Sequence, residues 1–175
     1  LAWFHAASVG ETNAVLPVIT ALLSRRRDLH VLLTSGTVTS ARLAAQRLPE
    51  RALHQYVPLD IPEYARAFLV HWKPDIAVFT ESEIWPNLIL ESHRAKVPLA
   101  LVNARISAKS HKRWKRSPDV ARPLFSRFEI VLAQNERLAR HFSDLGARDV
   151  RPVGNLKIDA PPPPVAAAVA SLAED

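Results

Sequence analysis

Carboxylates, amides and cations stand immediately after the short apolar runs of this sequence, where a folded chain could bring them together. The first run leads into Ser8-Val9-Gly10-Glu11-Thr12. Glu11 falls where a helix should begin, and taken alone it reads as the acidic residue that a helix dipole favours in its first turn. Gly10 is expected to let the backbone turn tightly or lie close to a ligand. A second segment, Thr80-Glu81-Ser82-Glu83-Ile84-Trp85-Pro86-Asn87, sets two carboxylates beside a tryptophan, with Pro86 suited to an opening helical turn. Glu81 lies nearer the end of its apolar run and is the better candidate for chemistry. Glu83 is as well explained by a capping or solvated carboxylate. Three more segments carry polar groups: Asn103-Ala104-Arg105-Ile106-Ser107, Ala133-Gln134-Asn135-Glu136 and Gly154-Asn155-Leu156-Lys157-Ile158-Asp159. Each could be turn chemistry alone. Their recurrence after successive apolar runs points to one shared rim.

The elements that would build such a rim are legible. Strands are expected at 2–6, 30–34, 53–57, 75–80, 99–103, 130–134 and 150–153, each of ordinary strand length. Ile76-Ala77-Val78-Phe79 and Leu99-Ala100-Leu101-Val102 are apolar without alternation, the pattern of strands buried on both faces of a parallel sheet. Helices are expected in the gaps. Ala14, Val15, Val18, Ile19, Leu22 and Leu23 form one apolar stripe that ends near Arg25-Arg26-Arg27, with Pro17 predicted to kink the helix or delay its start. Others are expected at 40–48, 62–72, 85–96, 119–128 and 136–145, the last closed by Gly146 as its C′ residue. This β-α alternation predicts an α/β domain: a Rossmann-like, mostly parallel sheet flanked by helices, with ligands outside the carboxyl ends of the strands. The domain is expected over residues 1–160. Residues 161–175, opening with Pro161 to Pro164, are expected to be a stiff linker.

Composition narrows the chemistry. The 175 residues are 48% apolar, enough for one packed core. No apolar run approaches the roughly 20 residues that span a bilayer, and no signal peptide is visible. There is no cysteine and no methionine, so residues are expected to precede Leu1. The four glycines form neither a G-x-G-x-x-G turn nor a Walker A loop, and there is no G-x-S-x-G elbow. No two aspartates stand one residue apart, and the seven histidines lack ligand spacing. Dehydrogenase, P-loop nucleotidase and serine hydrolase lose ground, and no metal or cofactor is expected. The net charge of +6 suits an anionic partner without choosing one.

Taken together, the strings Trp3-Phe4-His5-Ala6-Ala7-Ser8-Val9-Gly10-Glu11-Thr12, Glu81 to Asn87, Asn103 to Ser107, Ala133 to Glu136 and Gly154 to Asp159 resemble the N-terminal domain of the 3-deoxy-D-manno-octulosonic acid (Kdo) transferases. They span nearly the whole chain in the family's order, with Ser82 where the family commonly has Thr and Ile84 where it commonly has Leu. The resemblance implies the N-terminal half of a GT-B glycosyltransferase: an acceptor-binding domain whose partner domain holds most of the CMP-Kdo donor site. It implies an inverting, metal-independent transfer of Kdo to a phosphorylated lipid A precursor, at the cytoplasmic face of the bacterial inner membrane. By match to the family's motifs, Glu11 is the general base, while Glu81 and Lys157 support the transition state. Ser8, Gly10, Glu83, Asn103, Arg105 and Asn155 belong to the substrate-binding set. At a helix N-terminus Glu11 should have a lowered pKa and be a weak base.

The basic run Lys109-Ser110-His111-Lys112-Arg113-Trp114-Lys115-Arg116 follows the fifth strand. An enzyme of this kind works at an anionic bilayer, so Lys112, Arg113, Trp114, Lys115 and Arg116 are expected to contact acceptor or membrane, and to be mobile or exposed without them. Two other readings compete. One is a different GT-B enzyme, such as another glycosyltransferase or a sugar-nucleotide epimerase. The other is an anion- or nucleic-acid-binding module built on the basic run, whereas the transferase reading expects no nucleic acid.

Overall fold

Strands that are apolar on both faces must be covered on both faces, and the chain does this with one sheet between two helical layers. The computed structural model describes residues 1–158. Its seven strands are β1 (Ala2–His5), β2 (Val31–Ser35), β3 (Ala52–Tyr56), β4 (Ile76–Thr80), β5 (Leu99–Ala104), β6 (Phe128–Ala133) and β7 (Val150–Pro152). All neighbours pair parallel, in the order β3-β2-β1-β4-β5-β6-β7. The chain thus builds outward from β1 to β3, then returns to the other side of β1 with β4. Between β1 and β4 the winding reverses, and at such a switch point the loops diverge and leave a crevice at the carboxyl ends.

The helices are α1 (Val9–Arg25), α2 (Val38–Arg47), α3 (Pro62–Trp72), α4 (Pro86–Arg94), α5 (Ala108–Lys115), α6 (Pro118–Phe125) and α7 (Glu136–Asp144), with a 3-10 turn at Leu156–Ile158. Alternate residues of β1 feed two cores. Ala2, Phe4 and Ala6 pack with Val15, Ile19 and Leu23 of α1 and Ala44 of α2. Trp3 packs on the opposite face with Phe79, with Phe68 of α3, Leu88 of α4, Phe125 of α6 and Phe142 of α7. Complete burial of a side chain such as Phe79 stabilises the fold by about 2–3 kcal/mol.

Several local expectations change. α1 begins at Val9 and continues through Pro17, because Ser8 caps it well upstream of the proline. The basic run, to which the sequence assigns no element, is a helix: Ser107 accepts a hydrogen bond from the Ser110 amide at 3.1 Å and opens α5. The helix expected at 119–128 is α6, which stops at Phe125; Phe128 is fully within β6. Gly146 has φ +107°, the left-handed conformation expected just beyond α7. The expected linker at 161–175 lies outside the described residues, as do Asp159 and Ala160.

Candidate active site

Glu11 follows β1 and Glu81 follows β4, so the two carboxylates flank the switch point. Ser8 is the N-cap of α1, and its side chain and that of Glu11 hold each other across the first turn. The Glu11 amide donates to Ser8 Oγ at 3.3 Å, and the Ser8 hydroxyl donates to Glu11 Oε1 at 3.0 Å. The Ala7 amide donates to Oε2 at 2.8 Å. The Thr80 hydroxyl lies 3.1 Å from the same Oε2 and 2.9 Å from the His5 carbonyl, so its one proton is shared between them. Glu11 is only 7% exposed. Burial, then the charge of Glu83, pushes its pKa above the ordinary 4.5. The hydrogen bonds from Ser8 and Ala7 oppose that shift without cancelling it, and Glu81 adds to it. The lowering expected from the helix terminus is therefore corrected: desolvation outweighs the first-turn dipole. The tight turn expected at Gly10 is corrected too. Gly10 sits inside the first turn of α1 with an ordinary helical backbone, and a Cβ there would lie 3.7 Å from Lys157 Nζ and 4.0 Å from Ser8 Oγ.

Glu81 is held from three sides. Arg105 Nε donates to Oε2 at 2.5 Å, Lys157 Nζ lies 2.7 Å from Oε1, and Asn103 Nδ2 is 3.4 Å from Oε1. The carboxylate is 1% exposed, so these cations supply the compensation its burial demands. Backbone conformation aims it inward: Glu81 has φ +49° and Asn103 φ +51°, both left-handed. Asn103 falls where the pairing of β5 with β6 loses register. Its Oδ1 accepts from the Leu156 amide at 3.1 Å, and its carbonyl accepts from Gln134 Nε2 at 3.2 Å. Asn155 completes the support, its Oδ1 accepting from the Lys157 amide at 3.0 Å. Asn103, Gln134 and Asn155 thereby place Lys157, which arrives from beyond β7.

Glu83 takes the indole N–H of Trp85 at 2.7 Å and lies 3.6 Å from His5 Nε2. Burial alone would raise its pKa, but the His5 imidazole and then the Trp85 indole more than offset this and hold it low. His5 is fully buried, with Nδ1 3.0 Å from Thr34 Oγ1 and Nε2 lacking a hydrogen-bond partner among the described residues.

The structure thus brings Ser8, Gly10, Glu11, Glu81, Asn103, Arg105, Asn155 and Lys157 to one rim, with Glu83 beside Glu11. Reasoning from the sequence placed His5, Thr80 and Gln134 within these segments but gave none of them a role of its own. His5 and Thr80 are the last residues of β1 and β4, a positional signal that could have found them. α5 stands apart from the carboxylates. Its Arg113 and Trp114, with Arg105, line a cavity of about 530 Å³, while Lys112, Lys115 and Arg116 do not reach it. Trp114 is half-buried, edge-on to Phe125 at 5.5 Å, and His111 stacks on His141 at 4.0 Å. The segment is docked through these rings, while Lys112, Arg113, Lys115 and Arg116 are exposed. Among the described residues no helix is long and apolar enough to cross a membrane.

Residues 1–160 match the sequence model of the family described as 3-deoxy-D-manno-octulosonic-acid transferase (kdotransferase). A relative from Rickettsia felis bearing the name 3-deoxy-D-manno-octulosonic acid transferase is 41% identical over 157 residues, 90% of this chain and 34% of its own length. A probable mitochondrial 3-deoxy-D-manno-octulosonic acid transferase from Arabidopsis thaliana is 42% identical over 134 residues, 75% of this chain and 30% of its own. The chain spans about a third of the length of these relatives, 34% of the first. Among solved structures, the S. aureus MnaA–UDP complex superposes with a TM-score of 0.67 at 15% identity, over 99% of this chain and 51% of that one. The Anabaena HepE complex with UDP and glucose gives 0.57 at 13% identity, over 88% and 44%. These likenesses concern the fold: a Rossmann-like domain that makes up about half of each larger chain, 51% and 44%.

Proposed function

The chain belongs to the 3-deoxy-D-manno-octulosonic acid transferase family, and on that premise we propose that it forms the acceptor-binding, base-carrying domain of an enzyme that moves Kdo from CMP-Kdo to a phosphorylated lipid A precursor. The observation that carries this reading is a buried carboxylate with a raised pKa, Glu11, at the sheet's switch point and beside a separate carboxylate already committed to cations. Two neighbouring acids in different environments suit different tasks.

In the proposed reaction an acceptor hydroxyl oxygen attacks the anomeric carbon of Kdo. The bond from that carbon to the CMP phosphate breaks, and its electron pair leaves with CMP. The hydroxyl proton passes to Glu11, and attack from the face opposite CMP inverts the anomeric centre. Burial makes Glu11 a stronger base than a solvated glutamate, which suits proton removal near neutral pH. Glu81 stabilises positive charge growing on the sugar ring, and Lys157 meets the donor's carboxylate or departing phosphate. Ser8 and Thr80 orient Glu11, with Gly10 leaving room beside the Lys157 ammonium. No cofactor enters this scheme and no metal is assigned a step. The donor would be held mainly by a second domain, and the reaction would take place at the cytoplasmic face of the inner membrane, with Lys112, Lys115 and Arg116 of α5 turned to its anionic surface, flanked by Arg113 and Trp114.

Glu11→Gln in the intact enzyme tests the assignment. It keeps the shape and removes the base, so turnover should fall at least about a hundredfold with acceptor binding little changed. Near-normal turnover would reduce Glu11 to a helix-capping residue.

A further inference from the structure

We propose that the cavity between α5 and α7 is a phosphate subsite, built for a phosphomonoester carried on a sugar, with Arg113 and Arg137 as its anion ligands. The cavity holds about 530 Å³, and its lining carries two kinds of chemistry. Arg113, Arg137 and Ser110 supply cations and a hydroxyl. Ile106, Trp114 and Phe142 supply apolar surface. No aspartate or glutamate lines it. Such a mixture suits a ligand with a charged group and a ring, and the volume suits a small ligand rather than a polymer.

Position rather than pairing sets Arg113 and Arg137 apart. Neither forms an ion pair among the described residues, which is equally true of exposed arginines elsewhere such as Arg42 and Arg140, but these two line one cavity. Two unpaired guanidiniums match the charge of a phosphate dianion, and their forks match its oxygens. The first turns of α5 and α7 also open here, through Ser107 and Asn135, and their positive ends favour the same charge. The cavity is joined to the carboxylates by Arg105, which lines it and donates Nε to Glu81 at 2.5 Å. A phosphate bound there would tether its sugar next to the Glu81 network.

The charge selection belongs to the cavity, whereas its use in sugar transfer rests on the reading above. Two sources share the chemistry: a phosphate on the acceptor sugar, or the phosphate of the CMP product. Isothermal titration of the chain with glucose 6-phosphate, CMP, inorganic phosphate and glucose distinguishes them. Glucose 6-phosphate should bind at least about tenfold more tightly than glucose and than inorganic phosphate, and the Arg113→Ser/Arg137→Ser pair should lose at least that factor. Tighter binding of CMP than of glucose 6-phosphate assigns the same site to the nucleotide. Arg42→Ser and Arg140→Ser, exposed cations outside the cavity, should bind as the parent does. The proposal is overturned if those controls weaken binding as much as the pair, if the pair binds normally, or if glucose and glucose 6-phosphate bind alike. The sugar requirement is overturned if inorganic phosphate binds as tightly. Thermal melting of each variant verifies folding. An intact enzyme that binds phosphate here but transfers no Kdo would refute the transfer reading alone. One that transfers Kdo while the pair leaves both phosphate binding and acceptor KM unchanged would refute the subsite alone.

Discussion

A side chain that must accept a proton and still sit against its substrate is pulled two ways, since hydrogen bonds that fix it also weaken it as a base. In Glu11 the Ser8 and Ala7 contacts fix the carboxylate, and burial together with Glu83 restores its basicity. The unprotonated form is the active one, so turnover should rise with pH through a pKa above 4.5. Because the Glu83 charge is among the causes of that elevation, Glu83→Gln should move the acid limb of the kcat profile to lower pH. An acid limb that stays in place would show that Glu83 does not act on Glu11. The same shift has a sign for folding. A carboxyl raised in the folded state contributes stability fully below the unfolded value, and that contribution is lost as pH rises through the folded one. At neutral pH, therefore, the domain carries a cost for keeping its base.

Among the elements, α7 ends on a geometric requirement. Gly146 has φ +107°, and an added Cβ would lie 3.0 Å from the Arg122 Cα in the neighbouring α6. Gly146→Ala should therefore destabilise the domain by more than about 1 kcal/mol, measured as a lower urea midpoint at unchanged slope. That glycine was legible in the sequence, as were the buried strands, because local rules govern both. α5 was not. It buries no residue completely, and it owes its helix to the Ser107 cap and to Trp114 and His111 docking on residues far along the chain. A run of lysine and arginine without an apolar stripe reads as a loop until its partners are known. The docked helix sharpens the expected membrane contact. Replacing Lys112, Lys115 and Arg116 by Ser should weaken binding to anionic vesicles at low salt, each cation near the surface contributing about 1 kcal/mol. Equal binding by parent and variant in a co-sedimentation assay would dismiss it.

For the molecule as a whole, the sheet covers both its faces with its own helices, so the chain should unfold in one cooperative transition by calorimetry. It should nevertheless transfer no Kdo alone, and measurable transfer would overturn the placement of the donor site elsewhere. At this scale the rim was legible in outline, since strand order is not needed to see polar residues after apolar runs. What could not be read was proximity: that Thr80 reaches Glu11, that Lys157 crosses to Glu81, and that desolvation reverses the expected shift of Glu11 all depend on β4 and β7 returning beside β1 and β6. One detail of that rim bears on how such a protein can change over generations. Glu81 holds a left-handed backbone that costs a non-glycine residue about 1–2 kcal/mol. Glycine at position 81 would relieve that strain, but it would also strip Arg105, Lys157 and Asn103 of their shared partner, so the bend persists because the ion network holds it. Descendants of such a chain could shed the bend only by dismantling the proposed chemistry with it.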